Sequence, residues 1–374
     1  MATWSADWDT ALVAAIERLY VRRYPLFWDS RSAKGENAKR LIAQQRGTVL
    51  PVADADSLFT GVVARVEALE KLSEAPLTTA LAIQRLKKYL PDPRRRIDLH
   101  DLVMMQVERV VEHTQMLPQF FSGEFASEAE KLIERCEAVG DPLARLVMVG
   151  IQHDTDNQFS ELWVHCLQRL LRADRRVDGT FQESVASLRR YPALLYVRVA
   201  GLGALLYERD ELFVSLLTRP KWRPQFGNSS ELTAAHALAE YDVLNGDLVN
   251  ALPRSGGSKW LYPPSHHLRA TVRPLFQDTL PGKDEYSQTQ DDYEFYVALV
   301  QHVTASGYQQ AVPGEFIGEW RWDGDTLIAE KRFRARAADA PDDWVWFRLA
   351  GGKDKVDELL ASLGAHLKPM KRWG

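Results

Sequence analysis

Residues 191–207 read YPALLYVRVAGLGALLY, and the reading of this run decides the fold. It is the most apolar stretch of the chain, yet it contains Arg198 and falls short of the roughly 20 residues that a membrane-spanning helix needs. It reads instead as a helix buried in a protein core. Ala200, Gly201, Gly203 and Ala204 sit close together in it, and small side chains at such spacing let a second helix approach closely. From Val185 to Leu217 the sequence predicts two helices joined near Glu208, Arg209 and Asp210.

Helical periodicity continues on both sides of this pair. Upstream, Pro76 begins a helix through Leu90, PDPRRR (Pro91–Arg96) breaks it, and Leu99–His113 resumes with Leu102, Val103, Val107, Val110 and Val111. Ser127–Val139, Pro142–Gln152 and Asn157–Leu171 follow. Downstream, helices are expected at Glu231–Leu244, His266–Phe276 and Asp291–Thr304, with PRSGGSKWLYPPS and DTLPGKDEYSQTQ as loops between them. No fixed-period repeat names a solenoid family. The grammar changes at Val312. GEFIGEWRWDGDTLIAEKRFRARA alternates in polarity about Asp323-Gly324, the commonest tight-hairpin signal, and predicts two strands. The strand-like WVWFRL and a helix over Lys353–Leu363 would complete a small α+β end piece.

Ahead of residue 72 the pattern is α/β. Asp9–Tyr20 carries Leu12, Ile16 and Leu19 at helical spacing, and YPLFW (24–28) suits a buried strand. A helix over Asn37–Gln45 stops at Gly47, TVLPV (48–52) forms a second strand, and Asp56-Ser57 opens a helix with Leu58, Phe59, Val62, Val66 and Leu69 on one face. Parallel α/β folds bind ligands at the carboxyl ends of strands, so WSADWD, with Trp4, Ser5 and Asp7, would be a ligand-side loop whose own strand precedes Met1. No G-x-G-x-x-G or G-x-x-x-x-G-K-[ST] phosphate loop occurs. The chain is thus expected to be the C-terminal portion of something longer. The fold class expected is mainly α: residues 1–72 an incomplete nucleotide-binding subdomain, 73–311 a helical array, and 312–374 the end piece.

Composition bounds the function. At 374 residues, 45% hydrophobic and 26% charged, the chain has the make-up of an ordinary globular protein, and a net charge of -4 gives no overall attraction to phosphate backbones. Arg332, Arg334 and Arg336 would share one face of the predicted strand near Trp320, Trp322 and Phe333, a pattern nucleic-acid binders use. Glu315, Glu319, Asp323, Asp325 and Glu330 dilute that charge, so a solvated face is the better reading. Only Cys136 and Cys166 occur, which points to a reducing cytoplasm and against a disulfide framework or a cysteine-built zinc site. Asp7, Asp9 and Glu17 rule out a signal peptide in the first twenty residues. His266 and His267 are adjacent, hence on different sides of a helix, and without an H-E-x-x-H they read as surface or packing residues. Glu134, His153 and His165 have no convergent partner at a recognisable spacing, so no general acid or base is assigned.

Three N-terminal stretches, WSADWDTALVAAIE, then RRYPLFW, then AKRLIAQQRGTVLPVADADSLF, resemble in order the closing part of the sirtuin-like domains of large bacterial antiphage effectors. The resemblance covers roughly the first 70 residues and, less specifically, extends to the YPALL and GLGALLYERDELFVSLL stretches. It implies NAD as cofactor. Ser5 falls where sirtuins place the serine of the G-[TY]-S loop, and Asp54, Ala55 and Asp56 fall where the G-D-C-D loop runs beside the adenine. Ser5, Asp7, Asp9, Asp54 and Asp56 have a plainer role too, because serine and aspartate before an apolar helix are ordinary caps. The family glycine before Trp4-Ser5 is Thr3 here, the Gly-Ala-Gly loop is absent, and the Asn, Asp and His that act on the nicotinamide ribose have no counterpart. The resemblance therefore implies an effector that cleaves NAD, of which this chain alone is inactive. Its helical part would sense a trigger, such as a phage protein, or mediate assembly. The alternative is a free-standing, non-catalytic helical interaction module.

Overall fold

A computed structural model describes residues 78–121, 123–174, 181–224, 231–252, 262–306, 309–312 and 314–373. The chain divides into Met1–Pro76 and Leu77–Gly374, and all described residues belong to the second unit. The expected α/β segment, including Trp4, Ser5, Asp7, Asp54, Ala55 and Asp56, lies outside them.

The unit is mainly α. In chain order its first helices are α1 (Thr79–Tyr89), α2 (Arg96–Gln115), α3 (Phe125–His153), α4 (Ser160–Leu171), α5 (Glu183–Leu188), α6 (Tyr191–Leu206) and α7 (Asp210–Thr218). After them come α8 (Ala234–Ala237), α9 (Glu240–Val243), α10 (Gly246–Ala251), α11 (Pro263–Phe276), α12 (Lys283–Thr304), α13 (Ile328–Asp339), α14 (Val345–Ala350) and α15 (Val356–Leu367). Among the described residues, strand structure is confined to two antiparallel pairs: β1 (Lys221–Trp222) with β2 (Leu232–Thr233), and β3 (Trp322–Asp323) with β4 (Thr326–Leu327).

Helix α6 is the hub, as residues 191–207 suggested. Fourteen of its sixteen residues are buried, so it has no solvent face and must be surrounded. It packs most extensively against α3, and α4, α7 and α12 cover other sides. The small residues mark the closest approaches: a Cβ on Gly201 would stand 2.6 Å from Tyr293 Cε2, and one on Gly203 would be 3.4 Å from Met148 Sδ. Both are covered by the chain's own helices. Across the α3–α4 junction, Gly150 is filled by Trp163, whose Cη2 would lie 2.4 Å from an added Cβ.

Several expectations change. Pro142 does not end a helix; α3 runs through it. A proline inside a helix costs one N–H bond and displaces a carbonyl, but Leu132, Ile133 and Cys136 before it and Leu143, Leu146, Val147 and Ile151 after it are buried in one continuous core, and that burial holds the two halves in line. The stretch Lys283–Gln290, expected as loop, forms the first two turns of α12. Its polar composition hid a buried stripe, Tyr286 and Gln290 leading into Tyr293 and Glu294. Residues 231–244 give β2 and the short helices α8 and α9 in place of one helix.

The hairpin is reduced to its turn. Gly324 has the positive φ (65°) that Asp-Gly turns require, but each strand is only two residues long. Lys331–Arg336 and Val345–Leu349 are helical, because Ala329, Glu330, Lys331, Ala335 and Ala337 are strong helix formers and the alternation about Phe333 is incidental. Arg332 and Arg334 therefore do not share a face. Arg332 pairs with Asp292 (2.5 Å), Arg334 with Glu330 (2.8 Å) and Arg336 with Asp210 (2.8 Å). Residues from 312 onward enter the common core: Tyr296 of α12 meets Phe333 at 5.3 Å and Trp346 at 5.0 Å between ring centroids, and Phe213 of α7 meets Trp346 at 5.8 Å.

Candidate functional site

A charge inside an apolar helix needs partners, and Arg198, fully buried in α6, finds them on α9 and α12. It donates to Glu240, to Gln290 Oε1 (2.7 Å) and to Glu294 Oε1 (2.7 Å). Glu294 is the centre. From α11, Arg269 donates to both of its oxygens (2.9 and 2.6 Å) and the Ser265 hydroxyl to Oε1 (2.6 Å), while the Phe316 N–H reaches Oε2 (3.2 Å). Asp291, one turn earlier on α12, lies between Arg269 and Arg321, 2.9 Å from each. Glu315 joins through His266 (3.0 Å) and, more distantly, Arg269.

Three guanidiniums (Arg198, Arg269, Arg321) thus face four carboxylates (Glu240, Asp291, Glu294, Glu315). Burial pushes a carboxyl up, and for Glu294, Glu240 and Asp291 the compensation is uneven. For Glu294, Arg269 and Arg198 overcome burial and hold the carboxyl well below its ordinary range. Glu240 has Arg198 as its close partner, with Glu294 as a like-charged neighbour, and burial leaves it at about 7. Asp291 is raised by burial to about 6 despite Arg269 and Arg321. The network clamps α6, α9, α11, α12 and the 315–321 segment together and can hold a proton near neutrality.

A second polar group lies at the N-terminal end of α6. Glu137 Oε1, on α3, accepts from the Tyr191 hydroxyl (2.6 Å), from His267 (2.9 Å) and from the Thr271 hydroxyl (3.2 Å). A carboxylate only accepts, so His267 must carry its proton on Nε2. Burial raises the Glu137 carboxyl, but hydrogen bonds from His267 and Tyr191 outweigh it and bring the group below its usual value. Beside Glu137 a cavity of about 430 Å³ opens between α3, α6 and α11.

His266 and His267 do point to different sides, toward Glu315 and Glu137. Glu134, His153 and His165 are not brought together; Glu134 lines the cavity, and burial lowers both histidines. The thiols of Cys136 and Cys166 are free and buried, which pushes each up to about 12. Among the described residues no group of three or more His, Cys, Asp or Glu side chains could hold a metal, and no helix is long and apolar enough to cross a membrane. Sequence reasoning missed Arg269, Glu240 and Glu294. The available signal was Arg198 itself: a guanidinium in a buried helix demands acidic partners from the helices around it.

The comparisons with known proteins add no relative: no family model, no curated protein and no solved structure matches the chain.

Proposed function

We propose that the helical unit is the regulatory and assembly part of a sirtuin-like, NAD-consuming antiphage effector working in the cytoplasm, with residues 1–72 contributing Trp4, Ser5, Asp7, Asp54, Ala55 and Asp56 to the NAD side. The structural observation that supports this is the network about Glu294. A regulator needs an element with two discrete arrangements, and a clamp of five segments with one carboxylate more than its guanidiniums is poised between a protonated and an ionised state. A phage protein, as trigger, or a second copy of the chain would act by repacking those segments.

The test is a native mass spectrum of the purified chain beside an assay for nicotinamide release. Species heavier than one 42.5 kDa chain, with no nicotinamide released from NAD, are expected. A strict monomer at micromolar concentration would favour a free-standing interaction module, and release above a heat-killed control would make the chain an enzyme in its own right. Either result overturns the reading.

A further inference from the structure

The cavity beside Glu137 takes no part in the Glu294 network, and its chemistry is one-sided. Among the described residues no lysine or arginine lines it. Its charged lining is Glu134, Glu137 and Asp141, successive positions along one side of α3, and Asp141 is already engaged by Arg145 at 2.8 Å. The Thr271 hydroxyl is spent on Glu137. All three donors to Glu137 converge on Oε1, so they fix the carboxylate in place and hold it ionised while Oε2 takes none of those bonds.

Two in-helix prolines interrupt the backbone ladder beside the cavity. Pro142 in α3 and Pro274 in α11 lack the N–H that would pair with the carbonyls of Ala138 and Ala270, four residues earlier. Both alanines line this cavity. Leu195 and Val199 of α6 and Leu275 of α11 add aliphatic lining. A guest must therefore bring hydrogen-bond donors, positive charge and an apolar body, and the volume of about 430 Å³ is in the range of small-molecule sites.

We propose that this cavity binds a protonated aliphatic amine, its ammonium on Glu137 Oε2 and its alkyl chain along Leu195 and Val199. Glu134, one helical turn from Glu137, can take a second ammonium, so diamines bind best. The inference stands apart from the proposed effector role, because the cavity lies wholly within the helical unit and its test reads binding, not NAD chemistry.

The full chain is titrated calorimetrically at physiological salt with 1,6-diaminohexane, and with 1,6-hexanediol as an uncharged probe of the same length. Saturable binding of the diamine alone is expected. Glu137→Gln should weaken it at least tenfold. A Cβ on Gly140 meets no described residue within 4 Å and Gly140 lines the cavity, so Gly140→Leu should fill the space and abolish binding while the melting temperature stays at or above that of the unsubstituted chain. The proposal is overturned if the unsubstituted chain shows no saturable binding, if the diol binds as well as the diamine, or if either folded variant binds as tightly as the unsubstituted chain.

Discussion

Two glycines in neighbouring helices carry opposite consequences. At Gly201 an added methyl would meet Tyr293 at 2.6 Å and Phe213 at 3.3 Å, both buried rings that cannot withdraw. Gly201→Ala should lower unfolding free energy in a urea titration by about 1–3 kcal/mol, and Gly201→Leu by at least as much. Gly140 meets nothing among the described residues, and Gly140→Ala should raise it by about 0.5–1 kcal/mol through helix propensity. Equal effects at the two sites would mean that α6 and α12 are not in the close contact described. The first of these was legible in the sequence, because small residues crowd into an otherwise bulky run. The second was not: a glycine in a helix looks the same whether it faces a ring or a void, and only the partner helix decides.

At the scale of elements, the charge clamp fixes how α6, α9, α11 and α12 sit. Arg198→Met keeps the apolar stem of the side chain but strands Glu240 and weakens the hold on Glu294, and breaking one partner of a buried pair costs about 3–5 kcal/mol. The same clamp gives a pH signature. Glu240 in the folded chain titrates at about 7 against an ordinary 4.5, so between those values the folded chain binds a proton that the unfolded chain has released. Its contribution is complete below the window and is lost as pH rises through about 7. Glu294 and Glu137 are shifted downward, and their contributions disappear only in acid. Glu240→Gln does not titrate, so its stability relative to the unsubstituted chain should improve steadily from about pH 5 to about pH 8. A flat difference across that range would show that Glu240 is ionised throughout. Apolar stripes made most of these helices readable in advance. What escaped was the start of α12, where Tyr286 and Gln290 are buried by hydrogen bonds, and the helices α13 and α14, where alternating polarity imitated strands. Burial bought with hydrogen bonds leaves no apolar period to count.

For the whole molecule, residues 312–374 behave as part of the core. Phe316, Phe333 and Trp346 close over Phe295, Tyr296 and Phe213, so a chain ending at residue 311 should expose those rings and lose its cooperative thermal transition. Retention of a sharp transition would make that segment a separate module, as its sequence had suggested; the aromatic residues were visible there, but the partner on α7, Phe213, lies far away in the chain. The two buried thiols offer a further handle. Only a thiolate reacts quickly with a disulfide reagent, and Cys136 in α3 and Cys166 in α4 are both sealed and held protonated. Each therefore works as a stopwatch that starts when its helix opens. If α3 and α4 part from the core in one event, the two will be labelled at a common rate; if the amine cavity on α3 is filled, the clock at Cys136 will slow first.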